Sequence, residues 1–274
     1  MTGLPSKGAL EHRTPEFAIA SSIYELERAF ELCYRSYHKS GLVVENPSGM
    51  RLTPYHLLNG SEVLIGKLDK VVFSTMSFFC DGELGLPMEK MYRSEIEGLR
   101  DQGLRIAEVG SLADRRTSSR RYIESFIKLG RLLAQASSAR GIDTLVVAVH
   151  PKHARLYRRM MGFQQMGDHT QCPYANGNPA EALYLRFDQL SPKIEEQFFG
   201  DPLSAEELKP YQWTCETQEY FDRVLQSDGK IAKLTKLKNY YHWDVGSSNQ
   251  PRSLPSALPD SNQTTPSSVS MTKN

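Results

Sequence analysis

Apolar residues recur every three or four positions in four parts of the chain, which is the spacing of one face of an α-helix. Residues that begin or end helices bound these parts. Ser21 and Ser22 can cap the first, whose stripe stops at Gly41, and Pro151 opens the last. The predicted helices therefore cover residues 23–40, 87–102, 120–140 and 151–161.

Between these helices lie segments rich in Val, Ile, Phe and Thr, the residue types that favour β-strands. The segment 142–149 (IDTLVVAV) is the most apolar and predicts a central strand covered on both faces. Asp69 and Lys70 separate two strand-like segments and predict a hairpin. The predicted strands are 16–20, 61–68, 71–80, 104–112, 142–149, 163–166 and 182–187.

The alternation of these elements predicts an α/β fold with a mixed, partly parallel sheet flanked by helices. The long helix between the strands 104–112 and 142–149 requires a parallel crossover. Ligands of open sheets bind at the carboxyl ends of parallel strands. Candidate chemistry is therefore expected in 108–121 and 150–157.

Composition divides the chain into four parts. The predicted domains are a flexible N-terminus (1–14), a folded α/β domain (15–188), a C-terminal helical extension (189–245) and a tail (246–274). The tail is rich in Ser, Thr and Pro without apolar periodicity, so we expect it to be disordered.

Charge and cysteine content narrow the function classes. The 274 residues carry 33 Lys+Arg and 32 Asp+Glu, so the near-neutral charge gives no support to nucleic-acid binding. No apolar stretch is long enough for a membrane span, and Met1–Thr14 lacks the apolar core of a secretion signal. Four scattered cysteines form no C-x-x-C pair, which argues against a metal site. We expect a cytoplasmic protein.

Glu108 is the candidate general base. It stands in a predicted strand between Ala107 and Val109, at the sheet edge where ligands gather. A carboxylate among apolar neighbours has a raised pKa, which suits a base that works near neutral pH. The alternative is a structural ion pair between Glu108 and a nearby arginine.

The segment 114–121 (DRRTSSRR) is the clearest basic feature. It joins a strand to a helix N-terminus, where exposed N–H groups and the helix dipole favour anions. Its arginines can add bidentate contacts to phosphate: Arg115, Arg116, Arg120 and Arg121. The alternative is a solvated loop paired with Asp114 and Glu124.

Four motifs indicate a family resemblance: "LCYRSY", the helix "LPMEKMYRSEIEGLRDQG", "AEVGSLA" and "HPKHARLYRRMMGF". The chain resembles the GNAT superfamily of N-acyltransferases over about 170 residues. Within it, the sequence is most similar to the long-chain N-acyl amino acid synthases (FeeM-like), which are related to acyl-homoserine-lactone synthases. The resemblance implies transfer of a fatty acyl group from a thioester to the amine of an amino acid or similar small molecule.

The resemblance also implies roles for individual residues. Glu108 would be the base, Gly110 would lie at a strand bulge whose backbone N–H stabilises the oxyanion, and Tyr157 would protonate the leaving thiolate. A packing glycine and a core tyrosine are the structural alternatives. Leu112 and the four arginines would bind the acyl donor.

The acyl donor is expected to be a co-substrate, with no cofactor bound permanently. Most GNAT enzymes have a glycine-rich loop for the coenzyme A pyrophosphate, but Thr117, Ser118 and Ser119 stand in this loop. That departure favours an acyl carrier protein with its single phosphopantetheine phosphate, and acyl-CoA is the alternative donor. We expect the acyl carrier protein as partner. Residues 230–243 could contact it or a membrane surface; the alternative is a helix that packs its leucines on its own domain and leaves its lysines in solvent.

The substrates require further residues. An apolar pocket for the acyl chain is expected from Phe73, Met76, Phe78 and Phe79, which could equally be core. An acceptor with a carboxylate needs an arginine such as Arg35 or Arg51. Two alternative functions remain: an acyl-homoserine-lactone-type autoinducer synthase, and a non-catalytic module that binds an acyl thioester or carrier protein.

Overall fold

Seven strands form one mixed sheet in the computed structural model, which describes residues 14–82, 84–116 and 118–230. Their order across the sheet is β1-β2-β3-β4-β5-β7-β6, and only β4 and β5 run parallel. The strands are β1 Glu16–Ile19, β2 Glu62–Leu68, β3 Val71–Cys80, β4 Ile106–Asp114, β5 Thr144–Val149, β6 Gln164–Cys172 and β7 Asn178–Arg186. The predicted mixed, partly parallel sheet is confirmed.

Six α-helices cover the sheet in the described part of the chain. They are α1 Ile23–Lys39, α2 Glu89–Asp101, α3 Ser119–Ala139, α4 Pro151–Met161, α5 Pro192–Phe199 and α6 Cys215–Ser227. Ser22 caps α1, because its hydroxyl accepts a hydrogen bond from the Glu25 N–H at 3.2 Å. A short 3-10 helix, Pro54–Leu57, lies between α1 and β2.

The helices divide between the two faces of the sheet. Buried side chains of α3, α4 and α5 form one core, with Phe126, Tyr157 and Phe198 among its members. Helices α1 and α6 share a second core on the opposite face, where the Phe30 and Phe221 rings lie 5.3 Å apart. Helix α2 forms a third core beside it. The added C-terminal helices therefore pack against the same sheet.

Strands β4 and β5 separate part-way along their length. Their pairing begins at Ile106↔Thr144 and ends at Glu108↔Val146, although both strands continue. On its other side, β4 has a bulge against β3, because Ser77 pairs with Gly110 whereas Thr75 pairs with Ala113. The separation leaves one edge of β4 without a partner strand beyond Glu108.

Several boundaries differ from the prediction. The strand predicted at 163–166 extends to Cys172 as β6, because pairing with β7 stabilises a segment that is polar and exposed on both faces. Strand β7 begins at Asn178, four residues before the predicted start. Helix α2 begins at Glu89 instead of Pro87. The predicted tail 246–274 and nearly all of 230–243 lie outside the described residues.

Candidate active site

A cavity of about 840 Å³ lies where β4 and β5 separate. Its volume is within the roughly 300–1,000 Å³ usual for small-molecule sites. Residues from both faces of the sheet line it, including Glu108 from one face and Tyr157 from the other. Helix α1 and the 3-10 helix close one side, and the start of α4 closes the opposite side. This is the edge of the sheet that the sequence indicated for ligands.

Glu108 is buried in this cavity wall with 4% of its surface exposed. Its Oε2 accepts a hydrogen bond of 2.7 Å from the Met88 N–H, just before α2. Burial raises the pKa of Glu108 to about 8, with a smaller contribution from the charge of Glu89, while the Met88 hydrogen bond opposes the shift. A carboxyl group with this pKa can accept a proton near neutral pH.

Glu108 differs from the other buried glutamates of the described residues. Glu62 pairs with Arg140 at 2.5 Å, and Glu181 pairs with Arg158 and with His169. No lysine, arginine or histidine of the described residues lies within ion-pair distance of Glu108. The alternative interpretation was a structural ion pair between Glu108 and an arginine. No such arginine is found in this part of the chain.

The bulge of β4 lines the cavity next to Glu108. Gly110 faces the Phe79 ring, and a Cβ there would lie 3.1 Å from Phe79 Cε2. Ser111 follows with φ +52°, a left-handed conformation that is unusual for a residue other than glycine. The unpartnered edge of β4 at this bulge can present a backbone N–H to a thioester carbonyl.

Buried polar groups surround Ser111. The His56 Nδ1 accepts a hydrogen bond from the Thr53 N–H at 3.1 Å, and its Nε2 faces Ser111 Oγ at 3.4 Å. Ser111 also lies near the Cys33 thiol of α1 and acts on its pKa, although burial is the main cause that raises this pKa. Burial and, secondly, the Arg51 charge lower the pKa of His56 to about 3, so this imidazole is neutral. These contacts hold the strained residue of the bulge in place.

Tyr157 lies across the cavity from Glu108, on α4. Its ring packs edge-on against Phe126 at 5.0 Å and against Phe163 at 5.5 Å. Burial raises the pKa of its phenol, so the hydroxyl keeps its proton at physiological pH. The residue thus belongs to the core and also lines the cavity.

The predicted phosphate-binding arginines fall into two groups. Arg116 is held within the protein: its guanidinium pairs with Asp114 at 2.9 Å and lies 4.2 Å over the Phe73 ring. The other three are exposed near the N-terminus of α3: Arg115, Arg120 and Arg121. The first turn of α3 has no acidic residue. Positive charge at the positive end of a helix dipole is unfavourable unless an anion binds there.

The residues predicted for the acyl-chain pocket also lie in different parts of the structure. Phe79 lines the cavity, and so does Leu112, which was assigned to the donor. Met76 and Phe78 are fully buried in the core beneath α3, and Phe73 packs against Phe17. Apolar residues of β5 line the cavity beside Phe79: Val147, Ala148 and Val149.

The sequence did not single out several cavity residues. His56 and Tyr174 come from two separate segments and have no motif of their own, whereas Ser111 lies within the motif "AEVGSLA" but was given no role. Arg51 was one of two candidates for a carboxylate contact; it lines the cavity, whereas Arg35 is exposed on α1 and pairs with Glu31 at 3.3 Å.

Neither a metal cluster nor a membrane-spanning helix is found in the described residues. No three His, Cys, Asp or Glu side chains come together there as metal ligands. Helices of the described ranges are also too short or too polar to cross a membrane.

Comparisons with known proteins identify relatives of this fold. The structure is similar to that of FeeM, an N-acyl amino acid synthase from uncultured soil microbes, with a TM-score of 0.58 and 22% identity over 66% of this chain and 97% of FeeM. The acyl-homoserine-lactone synthase LasI has a TM-score of 0.52 and 17% identity over 70% of this chain and 96% of its own. These identities establish a common fold.

A family model gives the more specific result. No curated protein matches the sequence. The model of the N-acyl amino acid synthase FeeM matches residues 28–186, which is more than half of the chain and includes every cavity-lining residue except Gly229 and Lys230. The chain therefore belongs to the FeeM family of N-acyl amino acid synthases and is an acyltransferase that acts on an amine.

Proposed function

We propose that the protein transfers a long-chain fatty acyl group from a carrier-protein or coenzyme A thioester to the amine of an amino acid. The observation that carries this proposal is Glu108, a buried carboxyl group without a basic partner in the described residues, at the point where β4 and β5 separate. The apolar wall formed by Phe79 and Val147 suits the acyl chain. The scattered cysteines, which form no C-x-x-C pair, support a cytoplasmic location.

Each step of the reaction uses a group at the cavity. Glu108 accepts a proton from the amine, directly or through one water, and the amine nitrogen attacks the thioester carbonyl. A backbone N–H of the bulge 110–112 stabilises the oxyanion. Collapse of the intermediate breaks the C–S bond, and Tyr157 donates a proton to the thiolate. The products are an N-acyl amide and a free thiol.

Replacing Tyr157 with phenylalanine tests whether this residue is the general acid that protonates the leaving thiolate. The ring contacts with Phe126 and Phe163 remain, so we expect little change in stability, but kcat falls about 100-fold because the thiolate leaves unprotonated. The measurement is turnover with an alkyl thioester and with an aryl thioester, whose thiolate is stable without protonation. The loss should shrink with the aryl donor, and Tyr184→Phe is the control. An equal loss with both donors would contradict the assignment.

The acyl donor is proposed to bind at the N-terminus of α3. Arg115, Arg120 and Arg121 are exposed there and can contact a phosphopantetheine phosphate and an acidic carrier protein. Asp114 and Leu112 line the cavity at the same end, which offers a route from this surface to Glu108. The donor is then a co-substrate that leaves after each turnover.

Charge reversal at this surface tests the carrier-protein donor. For Arg120→Glu with Arg121→Glu we expect KM for an acyl carrier protein to rise at least about 10-fold, with a small change in kcat, because the two charges assist association. The control is Lys193→Glu with Lys209→Glu, which makes the same change in net charge elsewhere. An unchanged KM for the acyl carrier protein would contradict docking at α3. If KM for acyl-CoA rises by the same factor, the arginines bind the phosphate of the donor and not the surface of the carrier protein.

The function itself is tested with purified protein, a long-chain acyl carrier protein or acyl-CoA, and a mixture of amino acids. We expect one free thiol for each N-acyl amino acid formed, measured by thiol titration and mass spectrometry. Thioester binding without release of thiol, with every amine tried, would favour the non-catalytic module. A lactone product would favour an autoinducer synthase.

A further inference from the structure

Arg51 is a partly buried cation of the cavity wall whose charge the proposed chemistry does not use. Three lysines also line the cavity, but Lys90 and Lys152 are exposed to solvent and Lys230 pairs with Asp228. It lies in the loop between α1 and the 3-10 helix, and its N–H donates to the Phe30 carbonyl at 3.0 Å. This bond ties the backbone of the loop to α1. The guanidinium lies 4.4 Å over the Tyr37 ring and faces the cavity.

The guanidinium has no counter-ion within the described part of the chain. Other partly buried arginines pair with carboxylates, as Arg116 does with Asp114 and Arg140 does with Glu62. Arg51 instead contacts the Cys33 thiol and the Tyr37 hydroxyl, and its Nε is buried without a hydrogen-bond partner. A partly desolvated cation without an anion is costly, so this position favours a negatively charged ligand.

Tyr174 connects this cation to the proposed base. Burial raises the pKa of its phenol; the charge of Glu108 raises it further and that of Arg51 lowers it. Both charged groups therefore act on the same ring from the cavity wall.

We propose that Arg51 binds the carboxylate of the acceptor and thereby selects an amino acid over an amine that lacks a carboxylate. This inference rests on the proposed function. The acceptor would place its carboxylate on the guanidinium and its amine toward Glu108, directly or through one water. The planar guanidinium can form two parallel hydrogen bonds to the carboxylate, which fixes the direction in which the amine points.

The experiment compares acceptors with and without the carboxylate. The twenty L-amino acids are assayed with a long-chain acyl carrier protein, and the best acceptor is then compared with its carboxamide and its decarboxylated amine. We expect Arg51→Gln to lower kcat/KM for the amino acid about 100-fold. The two analogues without a carboxylate should change by less than about threefold, because they do not use the guanidinium.

Two further variants separate binding from folding. Arg51→Lys keeps the charge but loses the bidentate geometry, so its loss should be intermediate. Arg35→Gln, the matched control on the surface of α1, should behave as wild type. If Arg51→Gln lowers kcat/KM equally for all three acceptors, or leaves the amino acid unaffected, the proposal is wrong.

Calorimetry without an acyl donor distinguishes this inference from the proposed function. We expect the amino acid to bind the wild type more tightly than its carboxamide does, and Arg51→Gln to remove that difference. If binding follows this pattern but no thioester is consumed, the proposed function fails while the carboxylate site stands. If turnover occurs but the amino acid and its carboxamide bind equally tightly, the proposed carboxylate site at Arg51 is wrong while the proposed function stands.

Discussion

Replacing Glu108 with glutamine is expected to lower kcat/KM for acyl transfer about 100- to 10,000-fold, the range found for general acid–base groups. Glutamine has nearly the same shape and can still accept the Met88 hydrogen bond, but it cannot accept a proton. The wild-type rate should rise with pH up to about 8, where Glu108 ionises, and the residual rate of the variant should lack this limb.

The control for this change is Glu219→Gln, which removes the same charge from an exposed position on α6. It should keep wild-type kinetics at every pH. Wild-type turnover by Glu108→Gln, or a pH limb near 8 that survives the substitution, would show that another group accepts the proton. If KM increases while kcat stays the same, Glu108 would instead be assigned to substrate binding.

The same substitution is expected to stabilise the protein. The Glu108 carboxyl ionises near pH 4.5 in the unfolded chain but at about pH 8 in the fold. The unfolded state therefore releases its proton first, and stability falls between these two pH values and levels off above pH 8. Glutamine has no such dependence. The stability difference between variant and wild type should rise by about 3 kcal/mol between pH 5 and pH 7.5.

Urea unfolding at each pH measures this difference. His56 titrates in the opposite sense, because its lowered pKa makes the fold less stable as the pH falls below about 6.5, but it is common to both proteins and cancels. Glu219→Gln should show no pH-dependent gain. Parallel stability curves for wild type and Glu108→Gln would mean that the fold does not raise the pKa of this carboxyl group.

Together these results would describe a residue whose burial reduces stability and supports activity. Glu62 and Glu181 are equally buried, but each has a basic partner that offsets its desolvation. Glu108 instead accepts a hydrogen bond from the Met88 N–H, which is not a charged partner. An uncompensated buried carboxyl group at a cavity wall is the pattern expected of a functional acid or base.

Much of this fold could be predicted from the sequence because its signals are local. Helix α4 begins at Pro151 and ends before Gly162, which has φ +78°, so proline and glycine alone define its limits. The parallel pair β4 and β5 follows from the long helix α3 between two strands. The polar strand β6 was too short in the prediction, because main-chain pairing with β7 stabilises it and its side chains carry no alternation.

The cavity itself is not a local property. The sequence placed Glu108 in a strand, but only the structure shows that pairing with β5 stops at this residue and opens the site. His56 and Tyr174 reach the cavity through irregular segments that have no periodic pattern. Whether Arg35 or Arg51 faces the cavity depends on the loop after α1, which ordinary helix and strand signals do not describe.

The most direct test of the account is mass spectrometry of lipids from cells that overproduce the full chain, beside cells that overproduce Glu108→Gln at the same level. We predict new N-acyl amino acids in the first culture, whose masses give both the acyl chain and the acceptor, and at least about 100-fold less of them in the second. Identical lipids in the two cultures, with or without N-acyl amino acids, would contradict the central role of Glu108 in acyl transfer.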